Sequence, residues 1–284
     1  MSEPCLSCRE LAVGHDGATV MSGVGFSLRS GEILAVVGPS GCGKSTLLRT
    51  LAGLTDPIAG SATLLGTDLT RAGESDRRAA LRRTGFLFQS AALWSSLTLR
   101  ENVELPLREF TAAGPAERRL IAEHRLSQVG LLAAADKLPA EVSGGMAKRA
   151  GLARALALDP EVLFLDEPTA GLDPVTAANL DDLVLRIRGT LGTAVVLVSH
   201  DVPSILRLAD FCVYLDSETG TMTASGPPAE LADSAMNPGA WPCSSPSWWP
   251  SAGAGCRVTD HAPSPTSTRM SAASTPARLS ACAA

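Results

Sequence analysis

Apolar positions along this chain fall into two patterns. Compact runs rich in valine, isoleucine and leucine read as buried strands: Ile33 to Val37, Thr84 to Phe88, Glu161 to Leu165 and Thr193 to Val198. Other stretches recur at helical spacing. Leu47, Leu48 and Leu51 predict a helix after the first of these strands, and further helices are predicted over 117–128, 147–156 and 174–188. A charged segment, Glu74 to Arg83, reads as an exposed helix. Upstream, Cys5 to Glu32 reads as short strands punctuated by Gly14, Gly17, Gly23, Gly25 and Gly31, a β-rich edge. Ser61 to Asp68 reads as a strand and a turn. Between the second and third apolar runs the chain changes character: Thr98-Leu99-Arg100-Glu101 has the form of a capping box, and the middle third, about 91–158, reads as a helical insert.

The stretch with the most chemistry is Gly38-Pro39-Ser40-Gly41-Cys42-Gly43-Lys44-Ser45-Thr46, set between the strand at 33–37 and the helix after it. Strand, glycine loop and helix in that order make a phosphate cradle. Glycines let successive backbone N–H groups curl inward, the helix N-terminus adds partial positive charge, and Lys44 adds a full one. Ser45 is placed to hold magnesium, and the match to G-x-x-x-x-G-K-[ST] is complete in its expected context.

Other candidates lie at strand and helix ends. Gln89 follows the strand at 84–88, where its amide could reach a magnesium-bound or attacking water. Asp166 and Glu167 end a strongly apolar strand, at the edge of a parallel sheet where ligands bind. Asp166 would take the metal and Glu167 would polarise water for attack on phosphorus. His200 ends the next strand; it is either a satisfied strand-end residue or, beside a γ-phosphate, a hydrogen-bond donor. Ser143-Gly144-Gly145 opens the helix through 147–156 as a cap and a second anion site, and Ala170-Gly171-Leu172-Asp173 forms a turn. His15 lies in a loop ahead of the cradle, where its ring would stack on a nucleotide base or remain solvated.

Composition narrows the setting. The 284 residues carry a formal net charge of −5, which argues against a nucleic-acid-coating surface and gives no nucleic-acid partner. No apolar run approaches the roughly 18 residues a membrane helix needs, and Met1 to Arg9 does not resemble a signal peptide. A cytosolic protein, or one held on a membrane by partners, is expected. Seven cysteines without a framework fit a reducing compartment, and the Cys5–Cys8 pair reads as part of a first strand. From Asn237 to Ala284 there is no Lys or Glu, three of the four tryptophans appear, and Ser, Pro and Ala dominate. That stretch is expected to be a low-complexity, disordered tail following a domain over 1–236, in the manner of a shifted reading frame.

The glycine loop, Gln89, Ser143-Gly144-Gly145, Asp166-Glu167, Asp173 and His200, in this order, are similar to the ATP-binding subunits of ABC transporters, over about residues 5–235. The resemblance implies an α/β fold: a RecA-like P-loop core with an antiparallel β subdomain and a helical subdomain. It implies a head-to-tail homodimer that sandwiches two ATP molecules. Carried onto this chain, Gly38 to Thr46 bind phosphates, Ser45, Gln89 and Asp166 serve the magnesium, Glu167 is the catalytic base and His200 the γ-phosphate contact. Ser143 to Gly145 would close over the opposite subunit's nucleotide, with Asp173 at the dimer seam. His15 stands where the family usually has a base-stacking aromatic, and Val142 where leucine is common. Glu101 to Glu109, Ser143 to Arg149 and Ser199 to Pro203, with Met146 after the two glycines, resemble the phospholipid-transport ATPases that work with MlaE-type permeases and Mce-domain proteins. The implied role is a peripheral subunit on the cytoplasmic face of the inner membrane that energises transport of phospholipid or another hydrophobic cargo through separate permease chains. An importer ATPase for a polar solute and a soluble, non-transport ABC ATPase are the alternatives.

Overall fold

The computed structural model describes residues 3–235. The expected tail at 237–284 lies outside them. Ten strands form one sheet in the order β5-β4-β1-β2-β10-β9-β3-β8-β7-β6, with β1 Leu6–His15, β2 Ala18–Leu28, β3 Ile33–Val37, β4 Ala59–Leu64, β5 Thr67–Asp68, β6 Thr84–Leu87, β7 Val162–Asp166, β8 Ala194–Val198, β9 Phe211–Asp216 and β10 Thr221–Gly226.

The sheet has two regimes because its strands have two sequence patterns. β6, β7, β8, β3 and β9 pair in parallel, and every residue of β7 and β8 is buried. Strands this uniformly apolar must be covered on both faces, which is the usual condition of parallel sheets. β1, β2 and β4 pair antiparallel, as do β4 with β5 and β9 with β10, and their burial is mixed.

The N-terminal region departs from the expected short strands. β1 and β2 run 10 and 11 residues without a break. Register shifts along β1 and a left-handed Glu10 absorb the irregularity as bulges, so the ladder bends and continues. Asp16 and Gly17, both left-handed with φ of 51° and 79°, close the hairpin as a turn whose twist matches the strands.

The α-helices among the described residues are α1 (Lys44–Leu51), α2 (Glu74–Leu81), α3 (Leu99–Phe110), α4 (Pro115–Gln128), α5 (Gly144–Ala155), α6 (Pro174–Leu191), α7 (Val202–Leu208) and α8 (Pro228–Ala235). The region after Asp201, on which the hydrophobic pattern was silent, supplies α7, β9, β10 and α8. Leu99, Val103 and Leu107 of α3, Ala122 and Leu126 of α4, and Ala150 and Leu152 of α5 share one apolar cluster with Leu163, Leu165, Val195 and Leu197 of the sheet. The contact is close because Gly85 of β6 leaves room for α5: a Cβ there would stand 2.3 Å from the Ala155 carbonyl oxygen.

Because β3, β6, β7 and β8 are mutually parallel, their carboxyl ends open on one edge. The segments that follow them are Gly38 to Gly43, Gln89, Glu167 and His200.

Candidate functional site

The glycine loop leaves β3 and enters α1 at Lys44, with Gly41 and Gly43 at φ of 81° and 98°, a conformation that suits glycine and strains other residues. Gly38 allows close backbone approach, since a Cβ there would meet the Leu215 carbonyl oxygen at 2.4 Å. Lys44 is buried, and its Nζ donates to the carbonyls of Gly38 and Pro39 at 2.9 and 2.7 Å. The ammonium therefore sits inside the curl of the loop. Cys42 is buried beneath it, its Sγ 3.9 Å from that Nζ.

Ser45 donates its hydroxyl to Asp166 Oδ1 at 2.9 Å, joining the first turn of α1 to the last residue of β7. Burial pushes the Asp166 carboxyl above its ordinary value, and the Ser45 hydrogen bond with the nearby Arg49 and Lys44 charges only partly offsets it. A desolvated carboxylate beside a hydroxyl suits a small hard cation. Among the described residues no group of three His, Cys, Asp or Glu side chains forms a self-contained metal cage.

Glu167 is the meeting point of the other candidates. Gln89 Nε2 donates to Glu167 Oε2 at 2.9 Å, and His200 Nδ1 lies 3.3 Å from Oε1. One carboxylate is thus aimed by an amide and an imidazole from two neighbouring strand ends. Gln89 and His200 lie just past β6 and β8 rather than on the strands, so each side chain is free of the pleat. Glu167 itself is left-handed at φ 47°, which turns it out of the strand direction that Asp166 still follows.

His15 is not in a loop. It is the last residue of β1, paired with Ala18 across the tight hairpin, and its Nε2 lies 3.0 Å from Thr46 Oγ1. The two-residue turn at Asp16-Gly17 draws it into the ladder, and the imidazole meets the first turn of α1.

Ser143, Gly144, Gly145 and Asp173 make a separate group. Ser143 caps α5 by accepting from Met146 N at 3.3 Å, and Asp173 caps α6 by accepting from Val175 N and Thr176 N at 3.1 and 3.0 Å. Those bonds, the Thr176 ones foremost, hold the Asp173 carboxyl below its ordinary value. Gly145 seats one helix on the other, since a Cβ there would stand 2.7 Å from Thr176 Cγ2. Among the described residues no hydrogen bond links this group to the glycine loop.

Three residues the motifs did not single out hold the site's backbone. Lys148 of α5, buried, donates to the carbonyls of Glu167 and Ala170 at 3.1 and 2.6 Å. Arg154 of α5 donates to the carbonyls of Ala91 and Ala92 at 2.8 and 2.6 Å, just after Gln89 where both alanines are left-handed. Asn102 of α3, fully buried, pins the segment from Trp94 to Thr98. A lysine at a buried turn of an alanine- and glycine-rich helix was the only visible signal; what it binds is backbone, which carries no side-chain motif.

A family profile described as "ABC transporter" matches residues 21–170. The methionine import ATP-binding protein MetN 1 of Rhodococcus jostii is 40% identical over 218 residues, covering 77% of this chain and 64% of that protein. The intermembrane phospholipid transport system ATP-binding protein MlaF of Haemophilus influenzae is 35% identical over 215 residues, covering 76% of this chain and 81% of that protein. This chain therefore spans under two thirds of the methionine-import relative and most of the phospholipid one. The dimeric ATP-binding cassette MJ0796, solved in a post-hydrolysis state bound to ADP and Pi, superposes with a TM-score of 0.71 at 29% identity, covering 78% of this chain and 98% of that one. With a glycine loop, a carboxylate bonded to Ser45 and a second aimed carboxylate on one sheet edge, and with these relatives, the chain belongs to the ABC transporter family, among its ATP-binding proteins.

Proposed function

We propose that this chain is the ATP-hydrolysing subunit of an ABC transporter that moves phospholipid or another hydrophobic cargo through separate permease subunits. The observation that carries the reading is the Glu167 carboxylate, held between Gln89 at 2.9 Å and His200 at 3.3 Å on the same sheet edge as Ser45 and Asp166. Phosphoryl transfer needs positioning and charge neutralisation more than covalent participation by the protein. Lys44 and the loop from Gly38 to Thr46 would bind the phosphates of ATP, and Ser45, Gln89 and Asp166 would serve magnesium, which neutralises charge on them. Glu167 would accept the proton of the attacking water, with Gln89 and His200 orienting it. Ser143 to Gly145 and Asp173, grouped apart from the glycine loop, would meet the nucleotide of a second copy in a head-to-tail pair. His15, engaged by Thr46, contacts the base more weakly than a stacked aromatic would.

The phospholipid reading draws support from the likeness to MlaF and from Met146 after the paired glycines. It implies MlaE-type permease and Mce-domain partners and a peripheral position on the cytoplasmic face of the inner membrane; among the described residues no helix is long and apolar enough to cross a membrane. The 40% identity to a methionine-import protein favours a second reading, an importer ATPase for a polar solute. Two experiments separate the claims. Glu167→Gln should retain ATP yet lose turnover by roughly 100-fold or more, the scale of a lost general base; normal hydrolysis removes Glu167 from that role. Mass spectrometry of the complex drawn from native membranes on this subunit should recover an MlaE-type permease with Mce-domain proteins. A solute-importer permease supports the second reading instead.

A further inference from the structure

The helix that begins at Ser143 also grips the backbone behind Glu167, and we propose that Lys148 is a positioning residue for hydrolysis: its ammonium sets the aim of Glu167 and ties that aim to the placement of the Ser143-Gly144-Gly145 turn. The inference rests on the proposed role of Glu167 as base and adds a control on it.

Glu167 occupies a backbone state that its own chemistry disfavours. Its φ is 47°, left-handed for a residue with a Cβ, and it precedes Pro168, whose ring discourages helical conformations in the residue before it. Such a state persists only when neighbours hold it. Three hydrogen bonds to its backbone do so directly. The Glu167 N–H donates to the Val198 carbonyl at 2.9 Å, and the Glu167 carbonyl accepts from the Ala170 N–H at 3.2 Å and from Lys148 Nζ at 3.1 Å. The first bond extends the β7–β8 ladder, and the second closes the local turn. The third is supplied by a side chain from another helix, which anchors the turn to α5.

Lys148 makes a second bond, at 2.6 Å, to the Ala170 carbonyl, so one ammonium spans both ends of the turn at 167–170. It is buried, and desolvation lowers its proton affinity while the Glu167 charge works the other way. Burying an ammonium is unfavourable. An apolar side chain would sit in this helix without that penalty, and the compensation here is the fixed position of one peptide group.

The connection runs onward. Lys148 lies one turn past Gly144, and within that turn Gly145 packs against the segment after the pinned one, with its Cβ position 3.6 Å from Leu172 Cδ2 and 2.7 Å from Thr176 Cγ2. The first turns of α5 therefore carry both the exposed Ser143 cap and the pin on Glu167. A shift of α5 when a nucleotide meets Ser143 moves the Glu167 carbonyl with it. Lys148 touches none of the reacting atoms and acts through Glu167.

The test is steady-state ATPase kinetics of the full-length chain as wild type, Lys148→Met, Lys148→Arg and Glu167→Gln, with binding of a fluorescent ATP analogue and thermal melting measured on each. Lys148→Met should lower kcat roughly 10-fold to 100-fold, the scale of a misaimed catalytic group. Its KM for ATP and its analogue affinity should stay within about 2-fold of wild type. Lys148→Arg, which can still donate to both carbonyls, should recover most of the loss. The inference is overturned if Lys148→Met turns over at the wild-type rate, if it loses cooperative melting and nucleotide binding together, or if the folded arginine variant is as slow as the methionine one. An inactive Glu167→Gln beside a fully active Lys148→Met would sink the pin alone, whereas an active Glu167→Gln would sink the role of Glu167.

Discussion

Asn102 offers a sharp test of how the helical region is fastened next to the site. It is fully buried at the start of α3. Its Nδ2 donates to the carbonyls of Trp94, Leu97 and Thr98 at 3.1, 3.0 and 2.9 Å, and its Oδ1 accepts from Trp94 N at 2.8 Å. Two N–H groups share the three carbonyls, so Asn102→Ala removes the equivalent of three hydrogen bonds, each worth about 1 kcal/mol net. Two corrections reduce the sum. Alanine improves helix propensity by about 0.6 kcal/mol, and the exposed stretch from Trp94 to Ser96 allows some of the freed groups to find water. A loss of about 1.5–2.5 kcal/mol remains, a fall in melting temperature of roughly 3–10 °C for a domain of this size. The Asp variant separates the amide argument from simple packing. Asn102→Asp keeps an acceptor for Trp94 N but turns a second carboxylate oxygen toward three carbonyls. The helix-dipole benefit near an N-terminus, about 0.3–1 kcal/mol, is too small to offset that. The order of melting temperature should be wild type, then Ala, then Asp. If Asp melts above Ala, or Ala melts with wild type, the donor network does not fasten this segment.

Two further predictions use glycine and a buried carboxylate. Gly85→Ala should cost about 1–3 kcal/mol, because its Cβ would lie 2.3 Å from the backbone oxygen of Ala155, whereas Gly189→Ala, in open space on α6, should gain about 0.5–1 kcal/mol; equal melting shifts would refute the packing account. Asp181 is buried on α6, its Oδ2 accepting from Ser204 at 2.6 Å, with its Oδ1 buried and unpaired. Burial, with Asp201 and Asp182 nearby, raises its proton affinity against the opposing Ser204 hydrogen bond and Arg207. The fold therefore binds this proton more tightly than the unfolded chain does, and the stability this contributes is present at low pH and lost as pH rises through the raised value. Asp181→Asn should melt above wild type at pH 8 with the gap closing on acidification through the raised value, and a gap that widens on acidification would contradict it.

The chain itself determined the chemistry that depends on local order. The glycine loop between β3 and α1, the capping box at Thr98 and Glu101, the Ser143 cap of α5 and the paired carboxylates after β7 are all set by residues a few positions apart, and each was readable as such. Burial on both faces made β3, β7 and β8 legible for the same reason. Tertiary structure decided what depends on partners far away. β9 lies beside β3, its partners 177 residues earlier, and β10 bridges to β2, adjacencies that hydrophobic period does not encode. The hairpin twist, and not the character of residue 15, carried His15 out of a loop and onto Thr46. Gln89, Glu167 and His200 converge only because three parallel strands end on one edge. Lys148, Arg154 and Asn102 stayed hidden because their partners are carbonyl groups, which every residue has and which only the folded chain can place.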